Sequence, residues 1–225
     1  MKKSMKKIIT LFTLCLTLYT ANAQEKASFD IGVDFASRYV WRGLEFSDSP
    51  VIQPYAEFAS GNFTLGAWAS YETGGQVVGQ EFDLYASYAI GNFSIGFTDY
   101  AFPVDIASDG YFEIKNHIGE ATLSFNGSEG LPISLMVGVN VYNDDENSVY
   151  AELGVPFKIG ETEVSAFLGA GNEIYTTDGE FTVTNFGLSA SKELKVTDKL
   201  SIDLTASTIF NPDTDDAYLV FLFSI

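Results

Sequence analysis

The 225-residue chain sets 30 Asp and Glu against 12 Lys and Arg, a formal net charge of −18. That balance excludes nucleic-acid binding, which needs a basic face. A content of 46% hydrophobic and 15% aromatic residues excludes disorder.

The first 23 residues read as an export signal. Lys2, Lys3, Lys6 and Lys7 form a basic start, "IITLFTLCLTLYT" is an apolar core, and "ANA" (Ala21 to Ala23) is a small-x-small cleavage site. Cleavage leaves a chain that starts at Gln24, and loss of the four lysines takes its charge to −22. The one cysteine, Cys15, lies inside the signal. Leu14 precedes it and the apolar run continues after it, so it is not a lipid-attachment site. The exported chain then has no disulfide and no thiol chemistry. No later stretch of about 18 apolar residues follows, which excludes a spanning helix.

From residue 27 onward apolar and polar residues alternate, the period of a strand with two unlike faces. Twelve segments are predicted: 27–41, 50–60, 62–72, 81–90, 92–102, 111–125, 132–142, 149–158, 163–174, 181–191, 199–210 and 216–225. Most come close to the roughly ten residues that a tilted strand needs to cross an outer membrane. Strand one offers Phe29, Ile31, Val33 and Phe35 on one side, and Asp30, Gly32, Asp34 and Ala36 on the other. The connections alternate too. "SGN" and "IGN" are tight, whereas "SDS", "PVDIASDG", "NDDENS", "TTDGE" and "NPDTDD" are more acidic. Short periplasmic turns, external loops and an even strand count are the outer-membrane pattern. The last segment, "AYLVFLFSI", puts Leu219, Phe221, Phe223 and Ile225 on one face, as in strands that address a barrel to its assembly machinery. The fold predicted for residues 24–225 is all-β: one antiparallel meander barrel in the outer membrane of a Gram-negative bacterium.

Parity then assigns side chains. With Phe29 to Phe35 facing lipid, Asp30, Asp34, Arg38 and Arg42 face inward, while Tyr39 and Trp41 fall on the outer face as an aromatic girdle. Along the other strands the inward charges are Glu57, Glu72, Glu81, Asp83, Glu152, Glu163, Glu173, Asp203 and Lys158. Trp68, Tyr85, Tyr100, Tyr142, Tyr150 and Phe167 also point inward. They serve either as filling for a small barrel or as a surface for solutes. Strand six has opposite parities at its two ends, and a bulge near Gly119 reconciles them. Glu113, Lys115, His117 and Glu120 then face inward, and Asp99 is left on the lipid face near the rim. The arginines either neutralise interior carboxylates or form one side of a constriction opposed by acids.

The stretch "SRYVWRGLEFSDSPVIQPYAEF", followed by "GNFTLGAWAS", resembles the TorF-like porin family of exported bacterial proteins. The shared pattern falls on Ser37, Tyr39, Arg42, Gly43, Pro50, Gln53, Gly66, Trp68 and Ser70, within residues 29–72. The resemblance implies a porin and carries no substrate and no site residues with it.

The function expected is a porin or channel for small polar solutes, with an acidic lumen that prefers cations or neutral molecules, because anion pores use rings of Arg or Lys. The alternative is a closed barrel with a structural or surface-interaction role. A barrel hydrolase fits less well. His117 is the one conventional base, the residue two after it is Gly119 rather than serine, and no second His or Cys stands by for zinc. The acidic loops at Asp144 to Glu146 and Asp213 to Asp216 lack the glycine-containing spacing of a calcium loop. No cofactor and no metal is expected. The partners expected are outer-membrane lipid, the barrel assembly machinery and small polar solutes.

Overall fold

A strand sends successive side chains to opposite faces, so the alternating segments fold as a sheet with one apolar and one polar side. The computed structural model describes residues 27–75, 80–102, 114–198 and 200–225. In chain order its strands are β1 (Ser28–Ala36), β2 (Tyr39–Trp41), β3 (Leu44–Ser47), β4 (Val51–Ser60), β5 (Phe63–Glu72), β6 (Glu81–Ile90) and β7 (Phe93–Ala101). There follow β8 (His117–Phe125), β9 (Ser134–Tyr142), β10 (Val149–Ile159), β11 (Thr162–Gly171), β12 (Thr182–Thr197), β13 (Leu200–Asn211) and β14 (Asp216–Ser224). Twelve of these pair antiparallel with their neighbours in one closed ring, from β1 round through β14 back to β4; β2 and β3 form a separate hairpin. The ring closes where β1 meets β14, with Asp34 opposite Ser224 and Ala36 opposite Leu222. Val33 and Ile225 exchange both backbone bonds at 3.1 Å. Every wall strand therefore has two partners, and the barrel has no free edge.

The outside is apolar. Phe29 and Ile31 are 66% and 68% exposed, and Leu65, Leu84, Phe97, Leu123, Leu135, Phe157, Leu168, Leu188, Phe221 and Phe223 lie exposed around the ring. Monomeric proteins in water rarely expose an apolar patch above a few hundred Å². Such a belt, with Gln53, Glu81, Asp83, Glu120, Asn140, Asn185 and Asn211 buried instead, is the inverse of a soluble protein. This is the architecture of a membrane barrel.

Three differences from the predicted strands matter. The first segment, expected to run over 27–41, leaves the wall at Ala36. Its remainder turns into the β2–β3 hairpin, where Trp41 faces Leu44 across a turn made by Arg42 and Gly43, at φ 54° and 85°. Positive φ at both central residues is what a two-residue turn of this twist requires. The sixth segment starts as wall at His117, after a 3-10 turn over Ile114–Asn116; the part at 111–113, including Glu113, lies outside the described residues. The register step does fall at Gly119 and Glu120, but against β9: Gly119 faces Tyr142 and Glu120 faces Asn140, so the extra residue is Val141. Against β7 the pairing is continuous.

Candidate functional site

The ring turns a linear sequence into an interior, and the hairpin crosses it. Tyr39 donates through its hydroxyl to Glu81 of β6 at 2.8 Å, and Arg42 reaches Glu120 of β8. Asn211 of β13 donates to the Gly43 carbonyl at 3.1 Å, and a Cβ on Gly43 would overlap the Thr184 carbonyl of β12. Arg38 lies over the Tyr218 ring of β14. A three-residue strand and its four-residue partner reach five different wall strands only from inside the ring. The hairpin is a plug.

Arg42 is its pin. Its Nη1 donates to Glu120 Oε2 at 2.5 Å and to the Tyr175 hydroxyl at 2.6 Å, and its Nη2 donates to Glu120 Oε1 at 2.9 Å. Two parallel bonds to one carboxylate are a geometry that guanidinium makes and ammonium does not. The rings of Trp41, Tyr150 and Tyr175 stand 4.2, 4.5 and 5.4 Å from its central carbon. The side chains of the pair are 8% and 1% exposed. Glu120 also accepts from Tyr100 at 3.1 Å, so its oxygens are well used. Gly138 makes room for it, since a Cβ there would overlap the carboxylate.

Both ends of this clamp sit beside a register step. Val141 is the extra residue next to Glu120. On the opposite side Gly169 pairs with Asn185 and Ala170 with Val183, which makes Thr184 the extra residue just where Gly43 lands. Bulges that re-aim a strand beside a site are a recurring device.

The predicted residues distribute as follows. Arg42, Trp68, Glu81 and Glu152 come together around the hairpin; Trp68 packs on Tyr39 with ring centroids 5.5 Å apart. Glu72 accepts from Ser47 of β3 at 3.0 Å, and Asp83 lies buried next to Glu81. Lower in the wall, Asp30 accepts from Tyr55 at 3.4 Å and Glu57 from Tyr85 at 3.1 Å. Asp34 stands opposite Gln53 in the β1–β4 ladder. Among the described residues Arg38 pairs with Glu45 of its own hairpin at 2.7 Å and with no wall carboxylate. Lys115 is exposed in the 3-10 turn.

Two expectations are corrected. Tyr39 and Trp41 are not a lipid-facing girdle. Tyr39 is 8% exposed in a cluster with Ala36 and Val51, and Trp41 packs on Tyr100 and Tyr175. The reason is that the wall ends at Ala36, so parity counted beyond it has no meaning. His117 does not share the face of Glu120. Continuous pairing of β8 with β7 carries the alternation from Leu123 back to His117, which therefore lies on the opposite face. There its Nδ1 stands 2.9 Å from Asp99, the acid that parity had also placed outward.

A cavity of about 240 Å³ remains between the hairpin tip and β10–β13, lined by Arg42, Glu152, Phe167, Asn185, Ser189 and Ser207 among others. Glu152 Oε2 accepts from Tyr150 at 2.6 Å and from Asn185 at 3.0 Å. Sequence reasoning missed Asn185, Tyr175 and Asn211 as site residues. Asn185 lies inside β12, Asn211 ends β13 and Tyr175 closes a 3-10 turn over Glu173–Tyr175, and their one signal was a polar or aromatic side chain, which a loop shares.

A family described as "Bacterial protein of unknown function (Gcw_chp)" matches residues 20–210. No curated protein matches the sequence.

Proposed function

The chain belongs to that family of unknown function, and we propose that it is an outer-membrane channel for small polar solutes whose lumen is occluded at rest by its own hairpin. In this reading the N-terminal signal exports it in a Gram-negative cell, the C-terminal strand addresses it to the barrel assembly machinery, and the acidic lumen favours cations and neutral molecules. The observation that carries the reading is the hairpin itself. A barrel with a purely mechanical role can fill its interior with side chains from the wall. Here the interior also holds a hairpin that is not part of the wall, joined to it by the Arg42–Glu120 ion pair and by hydrogen bonds such as Tyr39 to Glu81, with a polar cavity beside it. The resemblance of residues 29–72 to TorF-like porins points the same way.

Planar-bilayer recording tests it. The unaltered protein gives small or infrequent conductance steps, and Arg42→Ala gives larger and more frequent ones because the tip loses its anchor. The alternative, a closed barrel with a structural or surface role, is favoured by the near-complete burial of Arg42 and Glu120. It predicts silence from both proteins, and silence would displace the channel reading.

A further inference from the structure

The cavity beside the hairpin tip has an uneven supply of hydrogen-bonding groups. Arg42 is matched in charge by Glu120. Glu152 has no cation within ion-pair distance among the described residues, and both bonds it accepts go to Oε2. Asn185 gives its Nδ2 to Tyr150 at 3.0 Å and to Glu152, and a carboxylate only accepts, which fixes the amide orientation. Its Oδ1 is then left buried with no partner among the described residues, and the residue, 6% exposed, belongs to the cavity wall. A carboxylate that no cation balances therefore lines a space of about 240 Å³, and an acceptor without a partner lies buried in the same wall. Ser207 donates to Ser189 at 2.9 Å on the same wall, and Phe167 and Ile209 supply apolar area. A cavity-lining carboxylate without a cation is the complement of a cationic hydrogen-bond donor.

We propose that this cavity is a binding site for a small solute bearing a primary ammonium group, held by the Glu152 carboxylate. The ammonium offers three donors and one positive charge, and the cavity, below the roughly 300 Å³ of drug-sized sites, suits a small solute. The inference rests on the lumen being a solute path, and it names the class of solute.

The test uses the folded chain in detergent, titrated calorimetrically with ethanolamine, with ethylene glycol as the neutral probe and glycolate as the anionic one. Ethanolamine binds saturably, at least about tenfold more tightly than ethylene glycol, and glycolate does not bind. Glu152→Gln keeps an acceptor for Tyr150 and Asn185, so the wall is retained while ethanolamine affinity falls at least about tenfold, as expected when one of two buried opposite charges is removed. Glu161→Gln, in a turn at the far end of the barrel, leaves the affinity unchanged. Equal binding of ethylene glycol, unchanged affinity in Glu152→Gln, or no saturable ethanolamine binding overturns the site. Because binding is read without a bilayer, conductance without ethanolamine binding defeats the site alone. Ethanolamine binding without conductance defeats the channel alone.

Discussion

Arg42 occupies a position that few residues tolerate. It holds a positive φ, is almost fully buried and carries a charge. Removing one member of a buried ion pair costs about 3–5 kcal/mol, whereas replacing both by apolar groups is often neutral. Arg42→Met or Glu120→Leu alone is therefore expected to lower stability to denaturant by about that amount, and the double variant to recover most of it. Additive losses would mean that the bidentate bond does not hold the plug. Trp41→Ala is expected to loosen the pin, since its ring covers the guanidinium, and to raise conductance while barrel insertion is unchanged. A defect in insertion with normal conductance would return Trp41 to the lipid face. Parity in the sequence placed Arg42 and Glu120 inward, but 78 residues separate them, and nothing local marks them as partners. Trp41 was misread for a related reason. Two-residue hairpin turns normally advertise themselves as Asn-Gly or Asp-Gly, and Arg-Gly does not.

At the scale of elements the hairpin is separable from the wall. Ala36 and Val51 are direct partners across β1 and β4, so the ladder runs to its end without β2 and β3. Replacing residues 37–50 by a tight turn of about four residues is expected to leave heat-modified mobility intact and to give a persistently open pore. Loss of the compact unheated form would show instead that the barrel needs its plug to fold. The β9–β10 connection is a second element with its own chemistry. Asp144 accepts from Asn140 Nδ2 at 2.8 Å and from the Ser148 and Glu146 amides at 3.2 and 3.3 Å. Burial alone would raise its pKa, but these bonds outweigh it and hold the carboxyl below the usual Asp value. A depressed value means that the turn is stabilised above the unfolded pKa, about 3.9, and that this is lost as pH falls through the folded value. A carboxyl titration followed by NMR is expected to place the Asp144 midpoint below that of an unstructured Asp. A midpoint at or above it would contradict the turn geometry.

For the molecule as a whole, the wall was the legible part because one rule generates it. Lipid outside and a polar interior force period-two alternation on every strand, so twelve segments could be read with most boundaries close to those observed. The plug follows no period. Its place depends on contacts with five strands brought together by closure, and an alternating stretch such as "SRYVW" reads the same in a wall or across a lumen. The same closure decides the field inside. The plug brings Arg42 already neutralised by Glu120, and Arg38 already neutralised by Glu45. The acids Asp30, Asp34, Glu57 and Glu152 have no ion-pair partner among the described residues. Their summed potential in a narrow, low-dielectric passage attracts cations. Reversal potentials for the Arg42→Ala channel across a salt gradient are therefore expected to have the cation-selective sign. Selectivity weakens as salt rises, because the screening length falls from about 10 Å at 0.1 M to about 3 Å at 1 M. Glu57→Gln and Asp30→Asn together, remote from the pin, reduce it further without changing how often the pore opens. An anion-selective sign at low salt would mean that these carboxylates do not govern the passage that ions take.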